Sequence, residues 1–87
     1  MRDTPRLVTI LANPTCPHCV QATDTLTQWC CDEGIPVAGI DLEHHPEAGQ
    51  RWALEHSPAV VFDAAGGPRL YAGFPTHEEF LRLARAP

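Results

Sequence analysis

Leu7-Val8-Thr9-Ile10-Leu11-Ala12-Asn13-Pro14-Thr15-Cys16-Pro17-His18-Cys19 places a strand, a stop and a reactive pair of thiols in direct succession. Leu7 to Ala12 is a near-continuous apolar run rich in β-branched residues, and Asn13-Pro14 ends it. That pattern predicts a strand buried on both faces. From Pro17 to about Asp32 the period changes to helical: Cys19, Ala22, Leu26, Trp29 and Cys30 fall near one face, with Gln21, Asp24, Thr25 and Gln28 largely on the other. Pro17 suits a first helical turn and Gly34 a stop. Cys16 therefore sits where strand hands over to helix, with Cys19 one turn further on.

Outward from this unit the elements are short and sharply bounded. Ile35 to Leu42 reads as a second strand, and its Pro36 and Gly39 suit a sheet edge. Pro46 opens a helix expected to reach about His56, with Ala48, Trp52 and Ala53 facing inward. Ala59 to Phe62 and Arg69 to Ala72 read as two strands of a hairpin turning through Ala64-Ala65-Gly66-Gly67. Thr76-His77-Glu78-Glu79 has capping-box spacing and starts a last helix through Phe80, Leu81, Leu83 and Ala84. The order is βαβαββα. A right-handed parallel crossover followed by an antiparallel hairpin gives an α/β domain, a four-stranded mixed sheet flanked by helices on both faces.

The chain has 87 residues, so one domain over residues 1–87 is expected, burying a little over ~60% of its unfolded surface. A hydrophobic fraction of 44% spread along the chain excludes disorder. Six basic residues against eleven acidic give a formal charge of −5. With no basic run, nucleic acid is not an expected partner. Met1 to Arg6 is followed by no apolar segment of signal-peptide length, and no stretch reads as a membrane span. A cytoplasmic monomer is the expectation. In that reducing setting a cysteine pair signals catalysis or metal more often than a structural staple. Cys30 and Cys31 are adjacent, and a vicinal disulfide closes a strained eight-membered ring, so they read as two thiols.

The Cys16-Pro17-His18-Cys19 motif carries the chemistry. At the start of a helix, unpaired N–H groups and the positive end of the dipole point at the Cys16 sulfur, favouring the thiolate, which is the attacking species. Cys19 lies within disulfide reach and more shielded, so it can displace a mixed disulfide formed at Cys16. Pro17 stiffens the turn. His18 brings an imidazole near the thiolate, and a stabilised thiolate means a more oxidising couple. The competing chemistry is metal binding: Cys16, Cys19 and His18 with His44 or His45 could supply thiolate and imidazole ligands. However, Cys30 lies eleven residues beyond Cys19, about 16 Å along a helix, so a closed four-ligand site within one protomer is hard to build. No metal and no other cofactor is therefore assigned.

On these residues the chain resembles the thioredoxin superfamily over nearly its whole length. Leu7 to Ala12 running into Thr15-Cys16-Pro17-His18-Cys19 looks like the start of a glutaredoxin, and Cys-Pro-His-Cys is similar to the motif of periplasmic disulfide-forming oxidases. Ser57-Pro58-Ala59-Val60-Val61-Phe62 looks like the family's cis-proline loop and the strand after it. Tyr71-Ala72-Gly73 ahead of the Thr76 helix resembles the thioredoxin C-terminal segment, and the long first helix is the more thioredoxin-like feature. The resemblance implies a cis Pro58 lying against the disulfide. It also implies that Thr15, Ser57, Pro58 and Gly73 bind an extended substrate, with Cys16, Pro17, His18 and Cys19 forming the catalytic motif.

The departures from the family refine this expectation. Thioredoxins carry Trp before the first cysteine and a buried acid on the preceding strand, whereas here those places hold Thr15 and, roughly, Ile10. The basic residue and Gly-Gly-x-Asp-Asp-type turn with which glutaredoxins grip glutathione are replaced by Asn13 and by Gly73 to Glu78. A dithiol enzyme acting on protein disulfides and recycled by a reductase is therefore expected. Glutathione as reductant and a zinc- or copper-binding module on the same fold stand as alternatives. His44-His45 reads as a solvated loop, Trp29 and Trp52 as packing residues, Cys30 as a small buried hydrophobe and Cys31 as exposed.

Overall fold

The computed structural model describes residues 7–52, 58–63 and 67–84. The elements run β1 (Val8–Ala12), α1 (Pro17–Glu33), β2 (Val37–Asp41), α2 (Pro46–Arg51), β3 (Ala59–Phe62), β4 (Arg69–Ala72) and α3 (His77–Ala84). They build one four-stranded sheet in the order β2-β1-β3-β4. β1 pairs parallel to β2, with Val8 opposite Val37, and antiparallel to β3, with Val8 opposite Phe62. β3 and β4 close an antiparallel pair. The expected βαβαββα order and mixed sheet are both found. β2 is an edge, as Pro36 and Gly39 suggested.

The pleat divides the core in two. Val8 and Ile10 of β1 with Val60 and Phe62 of β3 face α1 and α3, packing on Leu26, Cys30, Phe80 and Ala84. Their alternates, Leu11, Ala59 and Val61, face the other way, onto Ile40, Leu42, Ala48 and Trp52. Because both faces of β1 and β3 are covered, these strands are apolar at nearly every position. α1 buries Cys19, Ala22, Leu26 and Cys30, the face its sequence period indicated.

Helix ends follow their local chemistry. Gly34 takes a left-handed conformation (φ 68°), its N–H reaching the Cys31 carbonyl at 3.2 Å while the Ile35 N–H reaches that of Cys30 at 2.8 Å. This paired arrangement satisfies the last carbonyls of α1 and turns Ile35 into the core beside Cys30. At α3 the Glu79 N–H donates to Thr76 Oγ1 and the Thr76 N–H to Glu79 Oε1, both at 3.1 Å, the reciprocal box its spacing implied.

Three boundaries differ from expectation. β1 begins at Val8, leaving Leu7 exposed. β2 covers only Val37–Asp41 of the longer run expected. α2 ends at Arg51 rather than near His56, with Trp52 already outside helical geometry. His45 offers this helix no side-chain cap and Gly49 sits at its middle, so the segment has little intrinsic helicity. Ala53, Ser57 and the Ala64-Ala65-Gly66 part of the hairpin turn lie outside the described residues.

Candidate active site

The site is built where β1 delivers the chain to α1. Asn13 forms the turn: its carbonyl accepts the Cys16 N–H at 3.1 Å and its side-chain oxygen the Thr15 N–H at 3.0 Å. Cys16 is then the N-cap of α1, with extended backbone (φ −95°, ψ 116°), and Pro17 occupies the first turn. Its Sγ accepts the backbone N–H of Cys19 at 3.4 Å, in the place a Ser or Asp oxygen takes in an ordinary cap. The sulfur thus meets both an N–H donor and the positive end of a seventeen-residue helix. Cys16 is half-buried and Cys19 fully buried.

The remaining expected residues fall into two groups. His18 and Pro58 line one groove of about 330 Å³, together with Gln21, Ala22, Thr25 and Phe74. Gly73 reaches the same region through its backbone: its N–H donates to the Pro58 carbonyl at 2.9 Å, and its φ of 103° is one that side-chain-bearing residues rarely adopt. Thr15 and Pro17 line a second cleft, together with Pro14, Val20, Gln21 and Asp24. The Thr15 hydroxyl lies 2.8 Å from Asn13 Oδ1 and 2.9 Å from Glu43 Oε2, tying the motif loop to the segment after β2. Ser57 lies outside the described residues.

A third cleft, of about 290 Å³, reaches the buried Cys19 between β1, β2 and α1, and Asp24 and Asp41 line it. Asp41 is partly desolvated, which raises its pKa. The His44 ring Nδ1 at 2.6 Å and the amides of Glu43 and His44 outweigh this and hold the carboxyl below its usual range. The same pairing lifts His44 above the ordinary imidazole value. His45 turns instead to Glu47, at 3.2 Å. The two neighbouring histidines thus pair with separate carboxylates. Among the described residues no buried polar or charged side chain occurs, and no three metal-ligating side chains come together. Position 10 is a buried isoleucine, so no acid lies on β1 beneath the motif.

The four-stranded sheet, its strand order and the position of the two cysteines invite comparison with solved proteins. Thioredoxin from Fasciola hepatica superposes with a TM-score of 0.76 at 16% identity, covering 98% of this chain and 85% of its own. Thioredoxin 1 from Thermosipho africanus gives 0.74 at 14% identity, with 88% of each chain covered. Reduced desulfothioredoxin from Desulfovibrio vulgaris Hildenborough gives 0.71 at 22% identity, over 88% of this chain and 76% of its own.

The chain has the thioredoxin fold.

No family model matches its sequence, and no curated protein does. At these identities the likeness is one of architecture, and residue roles within the thioredoxin fold must be argued from this chain itself. Sequence reasoning missed Phe74, Gln21, Ala22 and Thr25 as groove residues. The signal for three of them was available, since His18, Gln21, Ala22 and Thr25 recur at helical spacing from the motif. Glu43 and Asp24 were missed as well. The Thr15–Glu43 contact joins residues 28 apart in the chain, which no local pattern announces.

The other two cysteines differ sharply in accessibility. Burial, with a smaller contribution from neighbouring Cys31, pushes the Cys30 thiol up to about 11, while Cys31 is exposed. No helix among the described residues is long and apolar enough to cross a membrane.

Proposed function

We propose that this protein is a thiol–disulfide oxidoreductase that exchanges a Cys16–Cys19 dithiol with the disulfides of protein substrates. The observation that carries the reading is the Cys16 sulfur held at the N-cap of α1, accepting the Cys19 N–H, with a second, buried thiol one turn on. An N–H donor and a helix dipole aimed at a half-buried sulfur stabilise negative charge there, and negative charge is what a nucleophilic thiol needs.

The exchange proceeds in two steps. The Cys16 thiolate attacks one sulfur of a substrate disulfide, and the second substrate sulfur leaves as a thiolate that takes up a proton. Cys19 loses its proton and attacks Cys16 Sγ, releasing the first substrate sulfur and closing a Cys16–Cys19 disulfide. Two electrons have passed to the substrate. A thiol reductant or a recycling reductase returns the protein to the dithiol. Thr15 precedes Cys16 in the chain, Pro58 lines the groove with His18, and Gly73 is bonded to Pro58; these three, with Ser57, are assigned to holding the extended substrate backbone. The reading takes the reducing cytoplasm as its setting, where such a domain is kept as the dithiol.

A redox titration tests it. Equilibrated against glutathione or dithiothreitol buffers, the protein should show one reversible two-electron couple, absent in Cys16→Ser. Cys19→Ser should accumulate a mixed disulfide with substrate, detectable as a covalent adduct by mass. A protein that stays silent across the buffer series would remove the proposal. Stoichiometric zinc or copper on protein purified without added metal would replace it with the metal-binding alternative. Turnover confined to glutathione mixed disulfides would replace it with the glutathione-dependent one.

A further inference from the structure

Among the described residues Leu7, Val20 and Phe74 are the large hydrophobic side chains left exposed, and Phe74 is 48% exposed. Its ring is nevertheless held in place. It lies parallel to Trp29, with centroids 5.6 Å apart and planes 9° from one another. Trp29 is braced in turn against Phe80 at 5.4 Å and His77 at 4.7 Å, and Phe80 is fully buried. The stack therefore runs from the core to solvent and ends in an open aromatic surface. The backbone is equally constrained: Phe74 follows Gly73, bonded to the Pro58 carbonyl, and precedes the fully buried Pro75.

That surface lies in the groove with His18 and Pro58. Across a chain of net charge −5, the described residues lining this groove include no carboxylate, lysine or arginine, whereas the other two clefts carry Asp24 and Asp41. A preorganised aromatic face in a groove whose described lining holds no acid, lysine or arginine favours an apolar side chain, because its ordering cost is already met in the free protein. The length of the groove sets the spacing. The groove floor runs along α1 from His18 to Thr25, seven residues and about 10 Å of helix. An extended chain covers that length in about three residues.

We propose that Phe74 is a specificity-determining residue, forming a subsite for an aromatic or large aliphatic side chain placed about three residues from the reacting cysteine of an extended polypeptide substrate. The inference rests on the oxidoreductase reading above and names the substrate class of that same site.

The test uses two peptides, each bearing one cysteine as a mixed disulfide with a chromogenic aryl thiol. They differ only in Phe or Asp three residues from the cysteine. Attack by the Cys16 thiolate on the peptide sulfur breaks the sulfur–sulfur bond and releases the coloured aryl thiolate, so reduced protein reports each single turnover without added reductant. The wild-type chain should favour the Phe peptide in second-order rate constant by about tenfold, equivalent to about 1.4 kcal/mol. Phe74→Ala should bring the ratio to within about twofold, and Phe74→Leu should retain part of it. The ratio is taken within one preparation, so a general loss of activity or of folded protein cancels. Equal wild-type rates for both peptides would overturn the inference and leave the oxidoreductase reading standing. A ratio unchanged in Phe74→Ala would overturn the assignment to this residue. Release from neither peptide would remove both.

Discussion

His18 is the residue through which this motif differs most in charge from an uncharged neighbour. It is exposed, lines the groove and lies between the two cysteines in the chain, and positive charge close to a thiolate stabilises that thiolate and hence the reduced form. His18→Tyr should therefore lower the reduction potential, on the order of 30 mV, the amount that corresponds to 1.4 kcal/mol for a two-electron couple. Equilibration of wild type and variant in the same glutathione buffers reads the difference. Identical potentials would take His18 out of the mechanism.

At the scale of elements, the reciprocal bonds of Thr76 and Glu79 make a local prediction with a pH dependence. The Thr76 amide, the Tyr71 hydroxyl and the Thr76 hydroxyl, all bonded to Glu79, hold that carboxyl below its ordinary 4.5 despite partial desolvation. A carboxylate with a depressed folded value stabilises the fold fully above its unfolded value and loses that contribution as pH falls through the folded one. Thr76→Ala should cost about 1 kcal/mol at neutral pH, read by urea denaturation. The cost of Glu79→Gln should shrink progressively as the pH is lowered below about 4.5. A Glu79→Gln penalty that stays constant into acid would show that the charge on the carboxylate is not what fastens this helix.

These elements were also the ones most legible in the sequence. The capping box, Gly34 after α1 and the switch from β-branched run to helical period are local signals, and local chemistry satisfied each of them. α2 was overextended because Ala48, Trp52 and Ala53 share an inward spacing, and spacing says nothing about whether six residues around Gly49 can sustain a longer helix. Phe74 was passed over because an aromatic between Gly73 and Pro75 reads as loop. Only Trp29, 45 positions earlier in the chain, turns it into a fixed surface.

For the molecule as a whole, the core is thin enough that one ring carries much of it. A chain of this length has a stability of roughly 4–13 kcal/mol. Phe80 is fully buried, packs on Phe62 at 5.9 Å and braces Trp29. Phe80→Ala should cost about 3–5 kcal/mol, lowering the urea midpoint by about a quarter or more. The same change should loosen the Phe74 stack, so Trp29 emission should shift toward that of a solvated indole before the global transition. A midpoint within error of wild type would mean that the α3 face contributes little to the core.

The helical register of α1 sets Cys30 and Cys31 about 100° apart, one sealed in the interior and the other turned outward. Once Cys16 and Cys19 have closed on each other, Cys31 is left as the sole sulfur that a maleimide dye can readily reach. The oxidised protein should thus accept one label per chain and the reduced protein more, a stoichiometry countable by mass. A fluorophore installed there would sit on the outer side of the long helix, ready to report docking events at its far end.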